Sequence, residues 1–141
     1  MLLNGYVRVL PKEVSPENVV REGPVAFLKL SLGEVEVKTR KLCTIGFVTS
    51  IQRGSTYTDI TLALESGQVT VRVWDTQGVG DLLEGLKKDS KVLVFGVLRE
   101  YREQIYISAV LLRAVTEEEI SKFKRKLLAD RKILLNIAKK Q

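Results

Sequence analysis

Five short apolar runs with strand periodicity follow one another between residues 42 and 115, and no other feature constrains the fold as much. QVTVRVWD (68–75) is the clearest of them. Val69, Val71 and Val73 alternate there with Thr70, Arg72 and Trp74, the two-residue period of a strand with one buried face. YTDITLALE (57–65) sets Ile60, Leu62 and Leu64 on one face, and the Ser66-Gly67 link after it suits a hairpin. LCTIGFVTSIQ (42–52) precedes them and ends in the loop Arg53-Gly54-Ser55-Thr56. KVLVFGVLREY (91–101) and QIYISAVLLRAV (104–115) follow, meeting at a tight charged turn at Arg102-Glu103. Gly46 and Gly96 each fall inside a strand, where glycine marks the bends and bulges that curl a small barrel.

Between the third and fourth runs, TQGVGDLLEGLKKDS predicts a short helix. Leu82, Leu83 and Leu86 supply its apolar side, with Asp81 near the start and Lys87 and Lys88 at the end, as a helix dipole favours. The order is strand, strand, strand, helix, strand, strand, which is that of the OB-fold, a partly open Greek-key barrel. The fold class expected is therefore an all-β core: a five-stranded OB-fold barrel with a helix between its third and fourth strands, plus a long C-terminal α-helix.

Two flanks complete the chain. Residues 1–41 alternate in YVRVL, VAFLKLSL and VEVK but are broken by Pro11, Pro16, Gly23-Pro24 and Gly33. They are expected to form extended segments and turns packed on one end of the barrel, which spans 42–115. From Thr116 the character changes: Thr116 and Glu119 have capping-box spacing, and no Gly or Pro follows to the end at Gln141. Ile120, Phe123, Leu127, Leu134 and Ile137 recur at helical spacing, widened by Leu128 and Leu135 and interrupted around Asp130 and Arg131. Residues 116–141 thus read as a helix that either folds back on the barrel or meets a partner.

Side-chain chemistry narrows the function. The chain has no His and one Cys, so no Ser-His-Asp triad, Cys-His dyad, His-ligated or multi-cysteine metal site, or intrachain disulfide can be assembled within it. It has no P-loop, no GxGxxG after a strand and no paired carboxylates with metal spacing. The expectation is a binding protein that is no enzyme and needs no metal or cofactor. The formal charge of +6 is unevenly placed: residues 42–115 carry eight basic and eight acidic residues, while 116–141 carry eight and four. Basicity alone therefore points to the tail helix more than to a groove on the barrel.

The start of the chain has no basic region followed by a long apolar one, and no apolar run approaches a membrane span, so an intracellular protein is expected. That means cytoplasm or nucleoid in a prokaryote and nucleus in a eukaryote.

Three stretches carry a family resemblance: CTIGFVTSIQ as an apolar, glycine-containing opening strand, VTVRVWD as a third strand ending in Trp, and VLVFGVLREYREQIYISA as the last hairpin. With these, residues 42–115 resemble the OB domain of the middle subunit of replication protein A, and equally that subunit's counterpart in the telomeric CST complex. No counterpart of that family's disordered, phosphorylatable N-terminus or of its winged-helix domain is present, so roles resting on those regions are not implied.

The resemblance implies single-stranded DNA as a partner, with RNA left open, and other OB-fold subunits met through the C-terminal helix. It also implies base stacking on Trp74, which strand parity turns away from the core, and on Tyr101, at the start of the last turn. Arg72, Arg99 and Arg102 are candidates to touch phosphates or stack beside the rings, with Tyr57 and Arg53 weaker ones at the other edge. Ile120, Phe123, Leu127, Leu134 and Ile137 are the candidate partner-helix interface. The competing reading is a structural adaptor that binds proteins and little or no nucleic acid. A third is an RNA-binding module of the translation machinery.

Overall fold

A computed structural model of the chain describes residues 1–75 and 80–140. The five runs form strands β5 (Lys41–Arg53), β6 (Tyr57–Leu64), β7 (Gly67–Trp74), β8 (Lys91–Tyr101) and β9 (Gln104–Ala114). They pair in the order β5-β6-β7-β9-β8, and β8 returns to β5, so the sheet closes into a barrel. β7 and β9 run parallel and the other barrel pairings are antiparallel. This is the OB-fold.

Closure depends on β5 serving two neighbours. Its first half, Lys41 to Phe47, pairs with β8, and its second half pairs with β6, with a register shift between Val48 and Ser50. Gly46 lies at the change of partner, where a Cβ would stand 2.7 Å from the Ala63 carbonyl oxygen. On β8, a Cβ at Gly96 would meet Ile107 Cγ2 and the Ser108 carbonyl oxygen at 2.5 Å. Both glycines allow backbones to approach more closely than any side chain permits.

Strand parity places the core as the alternation requires. Val69, Val71 and Val73 are buried with Ile60, Leu62, Val92, Val94, Leu98 and Ile107. Thr70, Arg72 and Trp74 point outward and are half-buried. The β6–β7 hairpin turns one residue earlier than Ser66-Gly67: Leu64 pairs with Gly67, and Glu65 takes a left-handed φ of 57°. Between β7 and β8 lies the six-residue helix α1 (Gly80–Gly85). Residues 76–79 and the Asp81 side chain, part of the predicted helix, lie outside the described residues.

Residues 1–41 are more regular than their broken pattern suggests. β1 (Val7–Arg8) adds to β5 in parallel. Two short 3₁₀ turns, Pro11–Glu13 and Pro16–Asn18, follow. β2 (Val19–Glu22), β3 (Val25–Leu32) and β4 (Val35–Thr39) then form a separate antiparallel sheet. Ala26, Leu28, Leu30, Leu32 and Val37 join the barrel's own buried cluster, so one core serves both sheets. Arg21 on β2 pairs with Glu100 on β8 across the junction.

The tail is helix α2 (Glu117–Lys139), roughly 35 Å long at about 1.5 Å per residue. Thr116 caps it: the Glu119 amide donates to Thr116 Oγ1 at 3.2 Å, and the Thr116 amide donates to Glu119 Oε1 at 3.2 Å. Ile120, Phe123 and Leu127 are buried in a cluster with Cys43, Ile45 and Leu64. Burial of such a side chain contributes roughly 1.5–3 kcal/mol.

The interruption at Asp130 and Arg131 is a polar clasp on the same helix. Arg131 donates to both Glu13 oxygens at 3.0 and 2.8 Å and to the Arg8 carbonyl, while Arg8 pairs with Asp130 at 2.7 Å. Among the described residues no helix is long and apolar enough to cross a membrane.

Candidate nucleic-acid interface

The pairing of β6 with β7 decides what shares the outer face. Tyr57 stands opposite Trp74, Asp59 opposite Arg72 and Thr61 opposite Thr70. Asp59, Arg72, Thr61 and Thr70, with Tyr106 and Gln104 from β9 and Pro16 from the N-terminal segment, line a groove of about 480 Å³, beside which Tyr57 and Trp74 stand. Gln52 and Asp59 line both this groove and a neighbouring recess of about 340 Å³, which Tyr57 and the loop Arg53 to Thr56 complete.

At the centre, the Arg72 guanidinium is fixed on three sides. Nε and Nη2 donate to Asp59 Oδ1 and Oδ2 at 2.9 and 3.2 Å. Its carbon sits 3.9 Å from the Tyr57 ring centroid and 4.3 Å from that of Tyr106. The hydrogen bond to Asp59 leads in holding the Arg72 pKa above its ordinary value. The guanidinium is thus packed against two rings, and its charge is paired with a carboxylate.

Trp74 extends this surface. Its ring meets Tyr57 edge-on, with centroids 5.3 Å apart at 63°. Its indole N–H donates to Ser108 Oγ at 3.1 Å, which fixes the ring's orientation. Tyr57, Arg72, Trp74 and Tyr106 are therefore one packed cluster.

The other sequence candidates lie elsewhere. Tyr101 is 58% exposed at the end of β8, outside the groove lining, with the Arg102 guanidinium 5.2 Å from its ring centroid. Arg102 and Glu103 both take left-handed φ values, 51° and 68°, in the two-residue turn between β8 and β9. That geometry matches the twist of the strands but disfavours side chains by roughly 1–2 kcal/mol per residue. Arg99 is exposed on β8, opposite Tyr106. Arg53 donates to the Leu83 carbonyl at 3.0 Å and the Leu86 carbonyl at 3.4 Å, which ties the β5–β6 loop to α1.

On α2, Ile120, Phe123 and Leu127 are covered by the barrel, and Leu134 is half-buried against the core. These four belong to the chain's own packing, because the barrel's outer apolar face lies within reach of the stripe. Of the five residues expected to meet a partner, Ile137 alone is exposed, at 46%, and it is joined by Leu128 and Ile133.

Asp59, Tyr106 and Ser108 did not stand out in the sequence. Asp59 was recoverable from hairpin register, since it sits as far before the Glu65-Ser66 turn as Arg72 sits after it. Tyr106 and Ser108 depend on the β7–β9 parallel pairing, Val71 with Ile107 and Arg72 with Ser108, for which no local signal exists.

No protein-family model matches the chain. The uncharacterized 18.7 kDa protein in ribosomal RNA operon of Thermofilum pendens is 33% identical over 144 aligned positions, covering all of this chain and 82% of that protein. Among solved structures, a chain of the S. pombe Stn1–Ten1 complex matches with a TM-score of 0.72 at 16% identity, over 92% of this chain and 96% of that one. A chain of a replication protein A heterotrimer bound to single-stranded DNA matches at 0.64 and 21% identity, over 86% and 94%. At these identities the two structures share the fold.

Proposed function

The chain belongs to the family of the 18.7 kDa ribosomal RNA operon protein of Thermofilum pendens, and from that footing we propose that it is a single-stranded DNA-binding subunit of a replication protein A-like assembly. The observation that carries the reading is the packed Tyr57–Arg72–Tyr106 cluster with Trp74 at its edge, an aromatic surface at and beside the groove. Bases stack on such surfaces for about 1–3 kcal/mol each without regard to sequence. Tyr101 offers a second platform at the hairpin tip, and Arg99 and Arg102 flank it as phosphate contacts. Because Asp59 cancels Arg72, affinity rests on stacking more than on charge, and the isolated chain binds modestly.

Assembly uses α2, where Ile133 and Ile137, one helical turn apart, are 57% and 46% exposed. Helices from other OB-fold subunits suit that strip.

Titration of the protein with labelled oligo-dT at several salt concentrations tests the binding. Saturable binding with a shallow salt slope, weakened roughly 5- to 100-fold by Tyr106→Ala or Trp74→Ala, supports it. Unchanged binding in both variants counts against stacking. The ribosomal RNA operon in the relative's name favours a second reading, structured RNA in place of single-stranded DNA. A structured RNA that outcompetes oligo-dT decides for it.

A further inference from the structure

The barrel and α2 leave a cavity open along the N-terminal half of the helix, on a different surface from the groove. It measures about 250 Å³ and lies between α2 and the outer sides of β5, β8 and β9. Its floor is apolar, built from Ile45, Leu93, Phe95 and Phe123 with the thiol of Cys43. Burial pushes that thiol's pKa up to about 11, so the floor carries no charge near neutral pH.

The rim has the opposite character. Arg8, Arg113, Lys122 and Lys126 line it, with Glu119 as the one acid among the described lining residues. Arg113 is engaged by Glu119 at 2.8 Å and Arg8 by Asp130 at 2.7 Å. Lys122 and Lys126 are exposed one helical turn apart, and among the described residues neither takes part in an ion pair.

The apolar floor also reaches the surface. Leu111 pairs with Phe95 across β8 and β9 and is 51% exposed. Tyr6, 42% exposed, packs edge-on to Phe95 with centroids 5.4 Å apart. The cavity thus opens onto an apolar track beside two unpaired lysines. Its volume exceeds the roughly 150 Å³ that suffices for a benzene ring in an apolar cavity.

We propose that this cavity docks an acidic peptide segment of a partner protein, which seats one aromatic or leucine side chain on the floor and sets carboxylates against Lys122 and Lys126. Charge complementarity selects that occupant. A second copy of this chain would bring its own +6 against a basic rim. A nucleobase would bury its polar edge on a floor of Ile45, Leu93, Phe95 and Phe123 side chains, which offer it no hydrogen bonds. A disordered acidic segment has neither difficulty and gains from both parts of the site.

The test is fluorescence anisotropy with a labelled short peptide of Asp and Glu around one central Phe, added to the full chain. Binding is expected, weakened at least tenfold when the peptide's Phe is replaced by Ala, and at least tenfold by Lys122→Glu with Lys126→Glu on the protein. Emission of Trp74, on the groove side, is expected to stay constant as peptide is added. The proposal is overturned if the peptide fails to bind, or if the double variant or the Phe-less peptide binds equally well. It is also overturned if oligo-dT, or self-association of the chain at high concentration, displaces the peptide. Because the groove is not involved, the peptide is expected to bind whether or not the chain binds single-stranded DNA.

Discussion

Asp59 and Arg72 face each other across β6 and β7 as a twofold hydrogen-bonded pair, 2.9 and 3.2 Å, whose charges cancel in the middle of the groove. Held this way, the guanidinium is a spacer packed against the Tyr57 and Tyr106 rings and withheld as a free cation. The pair at the groove's centre is therefore neutral, while four of the chain's six excess positive charges lie in residues 116–141.

Removing the carboxylate should convert Arg72 from spacer to phosphate ligand. Asp59→Asn is expected to steepen the log–log dependence of oligo-dT affinity on salt by about 0.7, the contribution of one phosphate contact on a single strand. Titrations at four or five salt concentrations measure it. An unchanged slope would place Arg72 away from the bound strand.

Gly96 is expected to be the least replaceable position on β8. Its missing Cβ would lie 2.5 Å from the Ser108 carbonyl oxygen, a backbone atom that the β8–β9 pairing holds in place. Gly96→Ala should cost about 1–3 kcal/mol in urea unfolding. Gly80→Ala, where nothing lies within 4 Å, is the control and should change stability little.

The clasp between α2 and the N-terminal segment should be measurable as a coupling. Arg131 and Glu13 are both mostly buried, with side-chain exposures of 17% and 22%. Arg131→Ala is expected to destabilise the fold by about 1–2 kcal/mol. In a double-mutant cycle with Glu13→Gln, most of that loss should appear as interaction energy. Additive effects would mean that the two residues stabilise the fold separately.

Acid should loosen the contact between α2 and the β6–β7 turn. A hydrogen bond from Lys12, then one from Lys124, holds the Glu65 carboxyl below the ordinary carboxylate range, and Arg113 does the same for Glu119. A depressed folded pKa stabilises above the unfolded value of roughly 4.3, and that contribution disappears as pH falls through the folded one. The urea midpoint is expected to be flat from neutral pH to about pH 5 and to fall below about pH 4. Glu65→Gln should make the fall shallower; an identical profile would show that Glu65 titrates the same way folded and unfolded.

Alternation made the barrel legible because strand parity is a local property: Val69, Val71 and Val73 could face only one way once Trp74 faced the other. Parity also brought Arg72 and Trp74 to the candidate surface. The precise partners were harder. Placing the β6–β7 turn one residue late would set Trp74 opposite Asp59, whereas the structure pairs Trp74 with Tyr57 and Asp59 with Arg72. Moving the turn by one residue thus slips the pairing by two and would lose both the aromatic contact and the ion pair. Tyr106 arrives through a parallel pairing between strands separated by β8, and Pro16 through the folding back of the N-terminal segment, neither of which is written in local pattern. The apolar stripe of α2 was plain in sequence, but its choice of the barrel over another chain depended on Cys43, Ile45 and Leu64 lying outward under it.

Ultraviolet crosslinking of oligo-dT to the full chain, followed by mass-spectrometric mapping, tests base stacking in the groove most directly. The expected crosslinks fall on Tyr57, Trp74 and Tyr106 at the groove and on Tyr101 at the hairpin tip, and are lost in excess unlabelled oligo-dT but retained in moderately raised salt. Crosslinks confined to the basic stretch Lys122 to Lys132 of α2 and abolished by that salt would contradict it, placing the strand on the helix and leaving the aromatic groove unused.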